Sequence, residues 1–423
     1  LKGDMVGLAD KGKQYLSNPA LAKTKFGMNV HSMMEGASFS KAEKLAETKD
    51  YTQAAKEFES FGATFKQSEL STAAKYKAGY NYEKAGDFSS AIRMHLAVLA
   101  VASESPKIRV IQNDSRNDLS RLYQQSGQLE LAAKYYQAYG QANSKDQKGV
   151  NAIYNAAVLF DALNDSESAD LNYQSYQKLS TKSDRSEVAF LQAEMHKRLG
   201  HGDRAVELYN QYLTSGNHPV ENILRSIFMV GQIYENAQKP QNRWWYKRTI
   251  ETAKTLKAKD GLQYVAEAKF RIAQDSVVEL ATVRFGRTEK QQQLAAQKIL
   301  QIKDKYILDM KEVIKYDNAP MIVAALASAG QVIDQIAALF GRAPTPDGYS
   351  PEDAQKFQQL LADKVKEFKA EAQVSYKAAS DKASEFEVFT PWAKVAQQAL
   401  KKDAGGVNEE LAAEAKAIDW MGL

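Results

Sequence analysis

Three groups of residues have types and spacings that could support catalysis or ligand binding. The segment 7–14 reads G-x-x-x-x-G-K-Q, close to a phosphate-binding loop, but glutamine stands where a magnesium-binding Ser or Thr is required. Ser175 and Lys178 have the spacing of a serine–lysine nucleophile, yet the companion motifs of that mechanism are missing. His196 and His201 could ligate a metal, but they flank a predicted turn and do not share a helical face. We therefore interpret the first motif as a chance match and the second as an ordinary pair on a repeat helix. The two histidines are interpreted as surface or packing residues.

Composition excludes further kinds of chemistry. The chain has no cysteine, which removes disulfides, thiolate metal ligands and cysteine nucleophiles. Its 56 basic and 52 acidic residues nearly cancel, so no strong field favours nucleic acid or an anionic membrane. The most apolar segment, Met321–Phe340, is interrupted by Gln331, Asp334 and Gln335 and is too short to span a hydrocarbon core of about 30 Å. We therefore predict no enzyme activity, no catalytic residue, no metal site, no cofactor, no nucleic acid partner and no transmembrane segment.

The elements that would position any functional residue are predicted to be helices. At 423 residues the chain is too long for one compact core, so it must form several domains or a stack of repeated units. Only 23 residues are Gly and 9 are Pro, and long stretches contain no helix breaker. An all-α fold follows. Because the chain begins with Leu1 and no apolar leader follows, we also expect a processed or truncated chain.

Five segments repeat one pattern: a loop-side residue, an Ala four positions later, and mostly bulky residues four and seven positions after the Ala. They are Asp50, Ala54, Phe58 and Phe61; Asp87, Ala91, His95 and Val98; Gln128, Ala132, Tyr136 and Tyr139; Asp165, Ala169, Tyr173 and Tyr176; and His201, Ala205, Tyr209 and Tyr212. Successive sets are 37, 41, 37 and 36 residues apart. This spacing places a small residue and two bulky ones on one helical face, which allows close helix packing.

A preceding helix carries a matching signature. Counting back twelve and nine positions from the Ala gives a small and then an aromatic residue: Gly79 and Tyr82, Ser120 and Tyr123, Ala157 and Phe160. Together with the period, these residues resemble the tetratricopeptide-repeat (TPR) family, whose reference period is about 34 residues. The resemblance implies a right-handed superhelical solenoid of TPR-like helical hairpins with divergent C-terminal helices.

The pattern divides the chain into five regions. We predict an N-terminal lead-in at 1–30, five repeats at 31–217, divergent hairpins at 218–340, a proline-rich linker at 341–351 and long helices at 352–423.

The later part of the chain has a second resemblance. Asp317–Ala325, Pro344-x-Pro346 followed by Ser350-Pro351-Glu352, and Thr390-Pro391-Trp392 are similar to the C-terminal part of large envelope TPR proteins of Gram-negative bacteria, including gliding-motility components. That resemblance implies a periplasmic or outer-membrane-associated scaffold, with a cytoplasmic location as the alternative.

The family's concave groove, lined by the first helix of each hairpin, is the predicted binding site. The register places these residues towards it: Tyr76, Tyr80, Asn117, Arg121, Gln124, Asn151, Tyr154, Phe190 and Phe228. Long polar and aromatic side chains suit an extended protein or peptide partner. The two-carboxylate clamp of some family members is predicted to be absent, because Glu187 and Leu191 stand where basic residues are required, although Asn155 fits.

The aromatic residues of the second helices are interpreted mainly as core. Tyr136, Tyr139, Tyr173, Tyr176, Tyr209 and Tyr212 recur at packing positions. Trp244 and Trp245 differ, since adjacent positions point about 100° apart on a helix and both cannot easily enter one groove. One of them is a candidate for an interaction surface.

Two classes of function remain open. The favoured one is a non-enzymatic scaffold that holds a protein partner in the bacterial envelope. The alternative is a helical accessory region of a cell-wall or polysaccharide-processing enzyme whose catalytic module lies outside the sequence. A third hypothesis is that the chain self-assembles through its terminal repeats. The identity of the partner and the oligomeric state do not follow from the sequence.

Overall fold

The computed structural model describes residues 5–214 and 218–403, and every regular element within them is an α-helix. The chain forms two compact units, Leu1–Met195 (unit 1) and His196–Leu423 (unit 2). The predicted lead-in at 1–30, repeats at 31–217 and C-terminal helices at 352–423 each extend into residues that lie outside the described ones.

Unit 1 is a series of antiparallel helices in which each packs against the next. Its helices are α1 (Met5–Leu16), α2 (Pro19–Ala22), α3 (Lys25–Glu47), α4 (Tyr51–Thr64), α5 (Ser71–Lys84), α6 (Phe88–Leu99), α7 (Pro106–Gln125), α8 (Leu129–Ala142), α9 (Gln147–Ala162), α10 (Ser166–Leu179) and the larger part of α11 (Lys182–Arg198). From α3 to α10, consecutive helices are in extensive contact, and α5 also contacts α7. The predicted all-α architecture of TPR-like hairpins is confirmed.

The turns inside the hairpins explain why the helices end where they do. The residue before each loop-side position of the repeat has a left-handed backbone, with φ between 60° and 81°: Lys49, Gly86, Gly127, Asn164 and Gly200. Glycine adopts this conformation without steric cost, and it ends the first helix of each pair. The following Asp50, Asp87 and Asp165 then accept a hydrogen bond from the backbone N–H three residues later and start the second helix.

The repeated alanines pack as the pattern predicts. Ala54, Ala91, Ala132, Ala169 and Ala205 are fully buried. Of the six second-helix tyrosines, five are buried and Tyr176 is half-buried, so their interpretation as core residues is confirmed.

Unit 2 continues with longer helices around an apolar centre. Its helices are α12 (Gly202–Leu213), α13 (Val220–Asn236), α14 (Asn242–Thr255), α15 (Leu262–Thr282), α16 (Glu289–Ile314), α17 (Ala319–Gly341), α18 (Pro351–Glu385) and α19 (Pro391–Asp403). The central helix is α17, which packs against α15, α16, α18 and α19. The expectation that this segment is too short to span a membrane is wrong, because the helix is long and apolar enough to do so, but 67% of its most apolar stretch is buried within the protein.

The proline-rich segment predicted as a linker joins two helices that pack together. Helices α17 and α18, on either side of it, pack along each other and share one hydrophobic core through Phe340 and Phe368, whose ring centroids are 5.2 Å apart. The loop itself is held by Gln292, whose Nε2 donates to the carbonyl oxygen of Pro344 at 2.8 Å. Prolines stop helices here, but the chain turns back on itself, so the segment is a hairpin loop.

A charged cluster joins helices α4, α5 and α6 of unit 1. Glu59 on α4 receives hydrogen bonds from Arg93 on α6, at 2.5 and 3.1 Å, and from the Tyr82 hydroxyl of α5 at 2.6 Å. The Arg93 guanidinium holds the pKa of Glu59 below its usual range, while burial and the Glu59 contact raise the pKa of Tyr82 to about 12. Glu59 therefore ties α4 to both helices of the next hairpin.

Acidification is expected to remove the stabilisation that Glu59 provides. Because its folded-state pKa is lowered, this contribution is complete above the ordinary value of 4.5 and is lost as the pH falls through the folded-state value. The side chain is 32% exposed, so solvent screening limits the effect to roughly 0.5–1 kcal/mol. Urea unfolding of the wild type and Glu59→Gln should show a stability difference at pH 7 that shrinks at about pH 3. An equal difference at both pH values would contradict this assignment.

Candidate partner-binding face

Most of the predicted groove residues lie on the first helices α5, α7 and α9 of unit 1. We call this surface the first-helix face and define it by Tyr76, Tyr80, Asn117, Arg121, Gln124, Asn151 and Tyr154. Tyr80 is 45% exposed, Gln124 and Asn151 are exposed, and the other four are half-buried. Their side chains are thus available at the surface to different degrees.

Neighbouring residues hold several of these side chains in place. Gln124 Oε1 accepts a hydrogen bond from the Tyr136 hydroxyl at 2.9 Å, and Asn151 Oδ1 accepts one from Gln147 Nε2 at 2.8 Å. The ring of Tyr154 lies 5.2 Å from that of Tyr176. The exposed side chains of Gln124 and Asn151 also carry amide N–H donors, which a peptide backbone could use.

Arg121 joins α5 to α7. Its guanidinium donates two hydrogen bonds to the Glu83 carboxylate, one of them at 3.0 Å, and one to Asp118 Oδ1 at 2.8 Å. These contacts raise the pKa of Arg121, with the Glu83 hydrogen bond as the largest cause. Arg121 is therefore mainly a structural residue that positions two carboxylates, and replacing it would disturb the packing of both helices.

Two predicted groove residues are buried. Phe190 on α11 is 8% exposed, and Phe228 on α13 is 1% exposed. Phe228 packs against Tyr246 and Tyr264, with ring centroids 5.4 and 5.8 Å away, in a core formed by α13, α14 and α15. The placement of Phe228 at an open binding surface is wrong, because α15 covers the face that corresponds to the groove side of the earlier hairpins.

Sequence reasoning missed two carboxylates on the first-helix face. Asp114 and Asp118 lie one helical turn apart on α7, on the same stripe as Arg121. Asp114 is exposed, whereas Asp118 is 8% exposed. Both lie close to Tyr76. Burial is the largest cause that raises the pKa of Tyr76, and the charges of Asp118 and Asp114 are the next two. The i, i+4 spacing beside a predicted groove residue was the signal available in the sequence.

The same region contains a buried histidine. His95 occupies the position where later repeats have tyrosine, and it is fully buried. Its Nδ1 lies 3.3 Å from Ser115 Oγ, while its Nε2 has no hydrogen-bond partner and lies 4.0 Å from Asp118 Oδ2. Burial lowers the pKa of His95, against the opposing charge of Asp118, so the ring is neutral near pH 7.

The two tryptophans of α14 occupy different environments, as predicted. Trp245 is 8% exposed, whereas Trp244 is 56% exposed. The two rings meet edge to face at 4.8 Å, and Arg248 lies over both, 5.2 Å from the first centroid and 5.0 Å from the second. Trp244 is thus a rigidly held exposed aromatic side chain.

The three candidate chemical motifs form no reactive site in the structure. The segment 7–14 lies within helix α1, so it forms no phosphate-binding loop. The Ser175 hydroxyl donates to the carbonyl oxygen of Leu171 at 2.8 Å. His196 and His201 approach each other to 3.3 Å between their Nδ1 atoms, but among the described residues no group of three or more His, Asp or Glu side chains could hold a metal ion.

Comparison with known proteins gives likenesses of fold only. No protein-family model matches the chain, and no curated protein is significantly similar in sequence. Among solved structures, the chain is similar to MamA (18% identity, 44% of this chain and 94% of that one, TM-score 0.32). It is also similar to the C-terminal part of a TPR repeat-containing protein from Cytophaga hutchinsonii (14% identity, 66% and 98%, TM-score 0.35) and to Naa15/Naa10 bound to HypK-THB (12% identity, 94% and 68%, TM-score 0.42).

These identities and TM-scores are low, so the assignment of a repeat architecture depends on the repeated positions within this chain itself. The buried alanines, the left-handed turn residues and the consecutive helix packing are its basis.

Proposed function

We propose that the chain is a non-enzymatic scaffold whose first-helix face binds an extended segment of a partner protein. The main observation that supports this proposal is that the first-helix face has aromatic and amide side chains that the packing of the repeats does not bury. Tyr80 is the clearest case, because it is 45% exposed although it lies one residue from the buried Gly79 at the centre of the hairpin. Stacked hairpins of this type offer an extended surface that contacts a partner along several repeats.

The chemistry of the face suits a peptide. Exposed amides such as those of Gln124 and Asn151 can pair with peptide backbone groups, and the rings of Tyr80 and Tyr154 can pack against side chains. Proteins are also the partners that aromatic-rich surfaces favour.

We further propose that this scaffold belongs to a bacterial envelope assembly, in the periplasm or at the outer membrane. This location is supported by the similarity of the Asp317–Ala325, Ser350–Glu352 and Thr390–Trp392 motifs to envelope TPR proteins. Fractionation of the source organism with an antibody against the chain tests it, and recovery of the chain in the cytosol alone would refute it.

Site-specific photo-crosslinking tests the binding face. With a benzophenone side chain at position 80 or 154, we expect both variants to capture the same partner from cell extract, because one extended segment would pass both positions. The matched control is position 171 on α10, where Leu171 is 56% exposed on a second helix. It should capture that partner at least about tenfold less efficiently. Equal capture at all three positions, or none at 80 and 154, would contradict the proposed function.

A further inference from the structure

The first-helix face is acidic at its centre. Two carboxylates, those of Glu83 and Asp118, contact the Arg121 guanidinium, and a third, that of Asp114, lies close enough to Asp118 to feel its charge. Arg121 is occupied by Glu83 and Asp118, and no described residue forms an ion pair or hydrogen bond with Asp114. The nearest opposing charge is Lys148 at the start of α9, which contributes less to the environment of Asp114 than Asp118 does. Asp114 thus has no ion-pair partner among the described residues, and the repulsion by Asp118 outweighs the attraction by Lys148.

This imbalance has a measurable electrostatic consequence. Partial desolvation of this exposed side chain, reinforced by the neighbouring charge of Asp118, raises the pKa of Asp114. A positive group placed between the two carboxylates would relieve their repulsion and be attracted by both.

A second observation points into the same cluster. His95 Nε2 is fully buried, has no hydrogen-bond partner, and faces Asp118 Oδ2 at 4.0 Å. The His95 ring has no room to move away from Asp118, because the backbone of Gly79 lies against it. A Cβ at position 79 would be 2.7 Å from Nε2. A buried polar atom without a partner is destabilising, so its presence beside the Asp118 carboxylate marks a polar site whose hydrogen bonds are incomplete.

The walls of the cluster suit a long cationic side chain. The ring of Tyr76 lies edge-on to His95, 5.4 Å between centroids, and its hydroxyl is near both aspartates. One turn along α5, the exposed ring of Tyr80 already has the Lys84 ammonium 5.4 Å from its centroid. Aromatic rings pack against the methylene stems of Lys and Arg and attract their charged ends.

Other ligand classes fit less well. A hard metal ion needs six or more oxygen ligands, and the described residues contain no group of three metal-ligating side chains. An anionic peptide end would be repelled by the three carboxylates, which agrees with the predicted absence of a two-carboxylate clamp.

We propose that Asp114 and Asp118 form a specificity pocket for a Lys or Arg side chain of the bound peptide, with Tyr76 and Tyr80 as its aromatic walls. The pocket rests on the proposed function, because it assumes that the first-helix face holds an extended segment. It selects partners by charge, whereas the exposed amides along the face are indifferent to sequence.

Selection from a random nonapeptide display library by the full chain tests this pocket. Peptides retained by the wild type are expected to be enriched in Lys and Arg at one position. Synthetic versions with Gln or Glu there should bind at least about tenfold more weakly, as lost charge pairing predicts. Asp114→Lys is expected to weaken the basic peptide by about tenfold or more, and raising the salt concentration should weaken wild-type binding.

Asp114 is the residue to change because it has no described partner whose loss would unfold the hairpin. Glu69→Lys is the matched control, since it makes the same change in charge at an exposed loop residue of unit 1 and should alter affinity less than about twofold. Retained peptides with no basic preference, or equal losses in the two Lys variants, would overturn the pocket but leave groove binding intact. Failure of the crosslinks at positions 80 and 154 would instead overturn the proposed function.

Discussion

Replacing Tyr306 by Ala is expected to lower the free energy of unfolding of unit 2 by about 3–5 kcal/mol. The side chain is fully buried in the largest hydrophobic cluster, between α15, α16 and α17. Its hydroxyl pairs with Ser328 Oγ and accepts a hydrogen bond from Gln274 Nε2 at 3.0 Å. Truncation would therefore leave a cavity and deprive two polar groups of their shared partner.

Fluorescence-detected urea unfolding measures this effect selectively. The sequence has four tryptophans, at positions 244, 245, 392 and 420, and the three among the described residues lie in unit 2. Tyr306→Phe should cost only about 1–3 kcal/mol, because the ring remains and only the hydrogen bonds are lost. Leu308→Ala, two residues along the same helix and 61% exposed, should change stability by less than about 0.5 kcal/mol. Similar losses for Tyr306→Ala and Leu308→Ala would refute the assignment of Tyr306 to the core.

The helices were largely predictable because their signals are local. The prolines at 320, 351 and 391 each stand in the first turn of a helix, α17, α18 and α19, where proline is tolerated and marks a helix start. The left-handed turn glycines and capping aspartates act within about five residues of chain. Both kinds of signal are independent of what the helix packs against.

The exposure of the first-helix face was not predictable in the same way. Tyr76, Phe190 and Phe228 occupy one register position, yet they range from half-buried to fully buried. The difference arises from neighbours distant in sequence: α13 contacts α15 directly and Ala268 of α15 joins the Phe228 cluster. A repeat register fixes which way a side chain points but not whether another helix covers it.

The acidic pocket was missed for a related reason. The register assigned Asn117 and Arg121 to the face, but the function of Arg121 depends on Glu83, which lies 38 residues earlier. Only the packing of α5 on α7 shows that Glu83 and Asp118 both pair with the Arg121 guanidinium, whereas Asp114 forms no ion pair with it. Besides the i, i+4 spacing of Asp114 and Asp118, the local sign of an unusual site was His95, a polar residue in an otherwise aromatic core position.

Gly149→Ala is expected to destabilise unit 1 by about 3 kcal/mol, although alanine normally favours helices. Gly149 lies in the first turn of α9, where the chain folds back from α8, and a Cβ there would overlap the backbone carbonyl of Asn143. Because backbone and not a flexible side chain occupies that space, relief requires the two helices to separate. Gly140, on the facing side of the same contact, also allows a close approach, since a Cβ there would be 2.6 Å from Ile153 Cγ1.

Gly36→Ala provides the matched control for the glycine at position 149. Gly36 also lies in a helix of unit 1, α3, but a Cβ there would meet no atom within 4 Å. The same substitution should therefore stabilise the protein by about 0.5–1 kcal/mol. Hydrogen exchange of peptides from α8 and α9 would locate the loss in Gly149→Ala, which should accelerate exchange there before it does so in α3. If both alanine variants were stabilising, the close contact of α8 with α9 would be refuted, and with it the packing that aligns α9 on the first-helix face.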